Sequence, residues 1–142
     1  MRLGVFGGSF DPVHLGHLIL AESCREQAAL DRVLFIPTHI QPHKQGHTPA
    51  PDLARLEMLK LAIGGNSAFE LSTREVDRGG VSYTVETLTH LKAERPEAEL
   101  FFMMGADSLA DFPKWREPRG FANWPRYWWS VGRARPIRRG TR

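Results

Sequence analysis

The residues best suited to chemistry form one short string near the N-terminus. It reads Gly7-Gly8-Ser9-Phe10-Asp11-Pro12-Val13-His14-Leu15-Gly16-His17. The two glycines let the backbone approach an anion closely, and the serine hydroxyl adds a hydrogen-bond donor. His14 and His17 lie three positions apart, so on a helix their imidazoles can face the same side and donate to one phosphate group. The string therefore predicts a phosphate site.

The flanking residues predict where this site lies in the fold. Arg2 to Phe6 is a short apolar run that ends at Gly7-Gly8, and the stretch from His17 to Ala29 carries apolar residues at helical spacing. This pattern predicts a strand, a glycine loop and a helix. The unpaired N–H groups at the start of such a helix point outward, where they favour anions.

The rest of the chain alternates strands and helices. Further strands are predicted at 32–36, 69–72 and 99–104, and a helix is predicted to begin near Ser82 or Thr84. The alternation predicts an α/β fold with a doubly wound parallel sheet, right-handed crossovers and ligands at the carboxyl ends of the strands.

The helix after the proline-rich segment has predicted ends and a predicted buried face. Asp52 is expected to cap its N-terminus, and Gly64-Gly65 is expected to end it in a left-handed conformation. The expected apolar face comprises Leu53, Leu56, Leu59 and Ile63.

Composition favours a single domain and argues against several classes of protein. The chain has 142 residues and one cysteine, no apolar run long enough to span a bilayer, and no leader pattern at its start. We therefore expect a cytoplasmic protein that does not act on membranes. Residues 1–115 hold 11 basic and 15 acidic side chains, so a general nucleic-acid partner is not predicted.

A metal site is not predicted from the histidines of the long loop between Pro37 and Pro51. His39, His43 and His47 recur every fourth residue, which on a helix would form a metal-binding face. Pro42 lies among them and argues against a continuous helix.

The N-terminal string resembles the Gly-x-Phe-Asp-Pro-x-His-x-Gly-His signature of Rossmann-like nucleotidyltransferases. Over residues 1–118 the chain most resembles bacterial nicotinate-nucleotide adenylyltransferases. Pantetheine-phosphate adenylyltransferases are the nearest alternative, but they typically have Thr in place of His14 and lack the Trp segment. The further matching segments are Ile36-Pro37 with Gln41-Pro42-His43-Lys44, Ser82-Tyr83-Thr84-Val85-Glu86-Thr87-Leu88, Gly105-Ala106-Asp107-Ser108-Leu109 and Phe112-Pro113-Lys114-Trp115.

This resemblance implies a reaction and the residues that perform it. ATP and nicotinate mononucleotide would give deamido-NAD and pyrophosphate, with Mg²⁺ assisting and no metal ligand from the protein. The implied catalytic residues are His14, His17 and Lys44. The implied ATP contacts are Gly7, Gly8, Ser9, Phe10, His14, His17, Gly105 and Asp107, and the implied contacts to the second substrate are Ser82, Tyr83, Thr84 and Trp115.

Four of these residues also have a purely structural interpretation. Lys44 could be a solvated loop charge, Thr84 and Asp107 could be helix caps, and Trp115 could belong to the core.

The resemblance stops after Pro118, and residues 119–142 form an Arg- and Trp-rich tail that is expected to be irregular. From Arg116 to Arg142 there are eight arginines and one acidic residue. Such a tail could bind nucleic acid or a membrane. Alternatively, codons for 119–132 can be chosen so that a shifted frame encodes Arg-Ile-Cys-Glu-Leu-Ala-Thr-Val-Leu-Val-Val-Gly-Arg, a helix end followed by an apolar strand. We favour a frameshift.

The loss of the family pattern after Pro118 affects the expected activity. The family's distal Ser-Thr-x-x-Arg-type motif, which binds the triphosphate, is not found, and the fold is expected to be truncated after its fourth strand. We therefore expect weak or no adenylyl transfer. The alternative is an ATP-binding remnant without turnover.

Overall fold

The computed structural model describes residues 1–39, 51–80, 84–104, 127–130 and 133–138. Strands and helices alternate along most of this length, as the sequence predicted. In chain order they are β1 (Arg2–Gly8), α1 (Leu15–Gln27), β2 (Arg32–Pro37), α2 (Asp52–Ile63), β3 (Phe69–Leu71), α3 (Arg74–Arg78), α4 (Thr84–Glu94), β4 (Glu99–Met104), β5 (Tyr127–Ser130) and β6 (Arg133–Arg138).

The strands form one sheet in the order β3-β2-β1-β4-β5-β6. Strands β1 to β4 are parallel to their neighbours, β5 is parallel to β4, and β6 is antiparallel to β5. The order reverses direction at the boundary between β1 and β4, which is the topological switch point of an open α/β sheet. The predicted doubly wound α/β fold is confirmed.

Alternating residues of the central strands fill two separate cores, one on each face of the sheet. In β2, Val33 and Phe35 join the cluster that includes Leu20 and Cys24 of α1 and Leu59 of α2. The intervening residues of β2 face the other cluster, which is completed by residues of α4. Its members are Leu3, Val5, Leu34, Ile36, Leu88, Leu91, Ala98, Leu100 and Phe102. Helices therefore cover both faces, which explains the continuous apolar runs of these strands.

Helix α2 departs from the sequence prediction at its buried face and at both ends. Its buried residues are Arg55, Leu59 and Ile63, whereas Leu53 is 70% exposed. Pro51 occupies the N-cap position, and no side chain caps the helix there. Gly64 has φ −60° and ψ −22°, a right-handed conformation, so the predicted left-handed end at Gly64 is wrong. The predicted Asp52 cap is also wrong, because the Asp52 carboxylate binds Arg55 and His39 instead.

Part of the tail, which is predicted to be irregular, forms strands in the structure. Residues 127–130 pair with Phe101–Met104 of β4, and 133–138 pair back onto β5. Aromatic residues favour strands, and the edge of β4 offers unpaired backbone groups, so Tyr127-Trp128-Trp129 extends the sheet. The sheet therefore does not stop at its fourth strand.

Within the described ranges, we find no helix that is long and apolar enough to cross a membrane.

Candidate nucleotide site

The glycine loop, residues 7–14, lies at the switch point of the sheet. Strand β1 has β2 on one side and β4 on the other, and the loop leaves its carboxyl end. Its first turn continues the pairing with β2, since Thr38 N donates to Gly8 O at 2.9 Å. Ligands of open α/β sheets bind in the crevice outside this edge. The fold therefore places the predicted phosphate loop where such a ligand is expected.

Phe10 anchors this loop from below. Its side chain is 1% exposed, and its ring lies 5.2 Å from Phe6 and 5.7 Å from Phe35 between centroids. The backbone of Phe10 has φ 45°, a conformation that costs a bulky residue about 1–3 kcal/mol. Burial of a phenylalanine ring stabilises by about 1.5–3 kcal/mol and so offsets this cost. The buried ring of Phe10 is thus not available to a ligand, whereas its backbone groups lie in the loop.

His14 and His17 come together at the start of α1, as their spacing predicted. His14 is the N-cap residue, and the two imidazole rings are stacked with centroids 3.7 Å apart and planes 25° apart. The first turn of α1 contains no acidic residue, so the positive end of the helix dipole is not neutralised there. Two adjacent imidazoles and a helix N-terminus are suited to binding phosphate oxygens.

His17 is held neutral, in one tautomer. The backbone N–H of His14 donates to His17 Nδ1 at 3.0 Å, so the ring proton of neutral His17 lies on Nε2. Burial, followed by the charge of nearby His14, lowers the pKa of His17 to about 4. Its ring also contacts Phe10 edge-on, with centroids 5.0 Å apart. At neutral pH His17 is therefore a fixed N–H donor.

Gly16 makes room for this pair. A Cβ atom at position 16 would lie 2.9 Å from Cε1 and 3.0 Å from Nδ1 of His14. Contacts this short do not occur in ordinary packing, so the imidazole of His14 would have to move. The glycine of the His-x-Gly-His pattern thus permits the stacked arrangement.

A buried arginine that was not among the predicted site residues supports the same loop. Arg55 of α2 is 1% exposed, and its Nη1 donates to Ser9 O at 2.7 Å. Its Nη2 binds Asp52, and the other oxygen of Asp52 lies 2.6 Å from His39 Nδ1. A signal was present in the sequence, because Arg55 precedes Leu59 and Ile63 at four-residue spacing. An arginine on the buried stripe of a helix calls for a specific partner.

The remaining predicted site residues are only partly placed. Thr84 is the first residue of α4. Lys44, Ser82, Tyr83, Gly105, Asp107 and Trp115 lie outside the described residues, and so do His43 and His47. Across the described ranges, His, Cys, Asp and Glu side chains form no group of three or more that could hold a metal ion.

The sequence model of the cytidylyltransferase-like family matches residues 5–127. A Thermomicrobium roseum protein named "Probable nicotinate-nucleotide adenylyltransferase" is 52% identical over 85% of this chain and 56% of its own length. The Bacillus subtilis protein named "Nicotinate-nucleotide adenylyltransferase" is 46% identical over 80% of this chain and 60% of its own. The chain thus spans somewhat more than half the length of these relatives.

A solved structure shares the fold. It is the Plasmodium falciparum nicotinic acid mononucleotide adenylyltransferase complexed with NaAD. The two chains superpose with a TM-score of 0.71 at 17% identity, over 85% of this chain and 60% of that one.

Proposed function

Since the chain belongs to the cytidylyltransferase-like family, we propose that it transfers the adenylyl group of ATP to nicotinate mononucleotide, giving deamido-NAD and pyrophosphate. The observation that carries this proposal is the stacked pair of His14 and His17 at the start of α1, beside the switch point of the sheet. The names of the relatives support the choice of acceptor.

The proposed reaction requires little acid–base catalysis by the protein. The phosphate of the mononucleotide is the nucleophile, and it is already ionised at neutral pH. Catalysis then rests on positioning and on stabilising the charge that develops at the α-phosphate. His17 suits this role, because its pKa of about 4 leaves it neutral and its Nε2–H is a fixed donor. The helix N-terminus adds its N–H groups.

We propose that Mg²⁺ arrives with ATP, bound mainly by the phosphate oxygens and water. Mg²⁺ dehydrates reluctantly and usually binds proteins through one or two carboxylates plus substrate phosphates. Mg²⁺ would neutralise charge on the triphosphate during transfer.

The second substrate is proposed to bind beyond the start of α4. Thr84 begins that helix. The family resemblance implies that Ser82, Tyr83 and Thr84 meet the nicotinate carboxylate while Trp115 stacks on the pyridine ring. Lys44, Gly105 and Asp107 are proposed to complete the ATP site.

A cytoplasmic location is also proposed. Cys24 is a free, buried thiol whose pKa burial raises to about 12. Unreactive free thiols are compatible with a reducing compartment.

The proposed function is tested by measuring which product the chain forms. The full chain is incubated with MgATP and, in separate reactions, nicotinate mononucleotide, nicotinamide mononucleotide or pantetheine phosphate, and the dinucleotide or coenzyme products are separated by chromatography. We expect slow formation of deamido-NAD, faster than either other product. His17→Asn should abolish it. His90→Asn, which changes an exposed histidine of α4, should not.

Three results would count against this proposal. Preferential use of pantetheine phosphate would assign the chain to the alternative acceptor. Formation of deamido-NAD at the same rate in His17→Asn would show that the histidine pair is not the site of transfer. ATP binding without any product would instead favour an ATP-binding module.

A further inference from the structure

Arg55 is a buried charge that the proposed reaction does not use. Its side chain is 1% exposed, yet it lies on the same stripe of α2 as Leu59 and Ile63. Removing a guanidinium from water is costly unless its hydrogen bonds are replaced. An apolar residue at this position would pack against the sheet without that cost. Burial alone therefore does not explain why an arginine occupies this position.

Its contacts join two loops at the carboxyl edge of the sheet. Nη1 donates to Ser9 O at 2.7 Å in the loop after β1. Nη2 binds Asp52, whose second oxygen lies 2.6 Å from His39 Nδ1, just after β2. Partial burial raises the pKa of Asp52, but the hydrogen bonds and charges of Arg55 and His39 outweigh this and hold it below its ordinary value. Asp52 is thus an ionised partner that orients the guanidinium.

The bond to Ser9 fixes the direction of one peptide group. A trans peptide directs its C=O and N–H to opposite sides, and the only cis bond of the described residues is Asp11–Pro12. Because Ser9 O points to Arg55, the N–H of Phe10 points away from α2. Gly8 O accepts from Thr38 N in the same way, so the N–H of Ser9 points away from β2. Two consecutive N–H donors are thereby held in the glycine loop.

We propose that Arg55 is a positioning residue of the nucleotide site: by binding Ser9 O it holds the Ser9–Phe10 peptide so that the loop N–H groups face the phosphates of ATP. This inference rests on the proposed function, since it assumes that the loop binds ATP. Asp52 and His39 act through Arg55. Phe10 holds the loop from the core, and Arg55 holds it from the side of α2.

The test compares Arg55 variants with a control that weakens the packing of the same helix without removing a polar contact to the loop. Arg55→Met removes the donors at similar length, and Arg55→Lys keeps the charge but has a single-point ammonium in place of the fork. Leu59→Ala is the control, because Leu59 is fully buried in α2 and belongs to the core cluster. Two quantities are measured in each full-length protein: amide hydrogen exchange of a peptide covering 7–14, and the Kd for MgATP.

We expect Arg55→Met to speed exchange in the loop by about tenfold relative to Leu59→Ala, because local opening then lacks a charged hydrogen bond. The Kd for MgATP should rise by about tenfold. Arg55→Lys should fall between wild type and Arg55→Met in both quantities. If Arg55→Met does not fold, the comparison of Arg55→Lys with wild type tests the inference.

Equal loop exchange and equal Kd in the Arg55 and Leu59 variants would overturn the inference and leave Arg55 as a structural residue. Failure of the wild-type chain to bind MgATP would refute the proposed function instead. In that case, amide hydrogen exchange of the loop, measured without ATP, still decides whether Arg55 holds the loop.

Discussion

Gly16→Ala separates the requirements of binding from those of folding. The added Cβ would lie 2.9 Å from Cε1 of His14, an atom at the far end of an exposed side chain. The imidazole can swing away into solvent, so the backbone need not move. The stack with His17, at 3.7 Å between centroids, is then lost. We expect the variant to fold normally and to bind ATP poorly.

The two effects differ in size. Alanine is favoured over glycine within a helix by up to about 1 kcal/mol, and an off-rotamer His14 costs about 0.5–1.5 kcal/mol. The free energy of unfolding should therefore change by less than about 1 kcal/mol. Loss of a hydrogen bond from His14 to a charged phosphate oxygen costs about 1.5–3 kcal/mol. This corresponds to a rise of about 10- to 100-fold in the Kd for MgATP.

The assay measures the urea midpoint and the Kd for MgATP in Gly16→Ala and in a matched control, Gly65→Ala. Gly65 follows α2, and a Cβ there would have no neighbour within 4 Å. The control should keep both quantities near those of wild type. An unchanged Kd in Gly16→Ala would refute the reasoning, because it would mean that the stacked geometry of His14 does not matter for binding.

Three further predictions test other parts of the structure. The pKa of His17 in the folded chain is about 4, below the ordinary 6.5. The contribution of His17 to the free energy of unfolding is therefore full above pH 6.5 and is lost as the pH falls toward 4. NMR titration should show the low pKa of His17, and His14→Asn should raise this pKa by removing a like charge. Thr87 Oγ1 donates to the buried Glu75 Oε1 at 2.6 Å, so Thr87→Val should lower the free energy of unfolding by about 1–3 kcal/mol in urea titrations, and an unchanged midpoint would contradict this. The coding DNA for 119–132 should permit the shifted frame, whereas an ordinary in-frame codon pattern through Trp129 would exclude it.

Local patterns predicted the part of the fold that carries the site. Gly7-Gly8 ends an apolar run and a helical periodicity follows, so the strand, loop and helix around His14 and His17 could be predicted without tertiary information. The apolar runs at 32–36 and 99–104 predicted β2 and β4 for the same reason. The three-residue spacing of the two histidines predicted that their imidazoles face the same side, and the structure adds that the rings are stacked.

Other features depend on which surfaces meet, and the sequence could not supply that. Helix α2 presents Arg55 rather than Leu53 to the sheet, because the guanidinium has Ser9 O and Asp52 as partners. The short helix α3 (Arg74–Arg78) was not predicted, because its five residues show no periodicity. Its buried Glu75 binds Thr87 of α4, a contact between two separate helices.

The most direct test of the central claim, that the glycine loop and the two histidines bind the triphosphate of ATP, is an equilibrium titration of the full chain with MgATP. The wild-type chain should bind saturably, and His17→Asn should raise the Kd by about tenfold or more because the fixed Nε2–H donor is lost. Equal affinities of the two proteins, or no saturable binding by the wild-type chain, would contradict the claim.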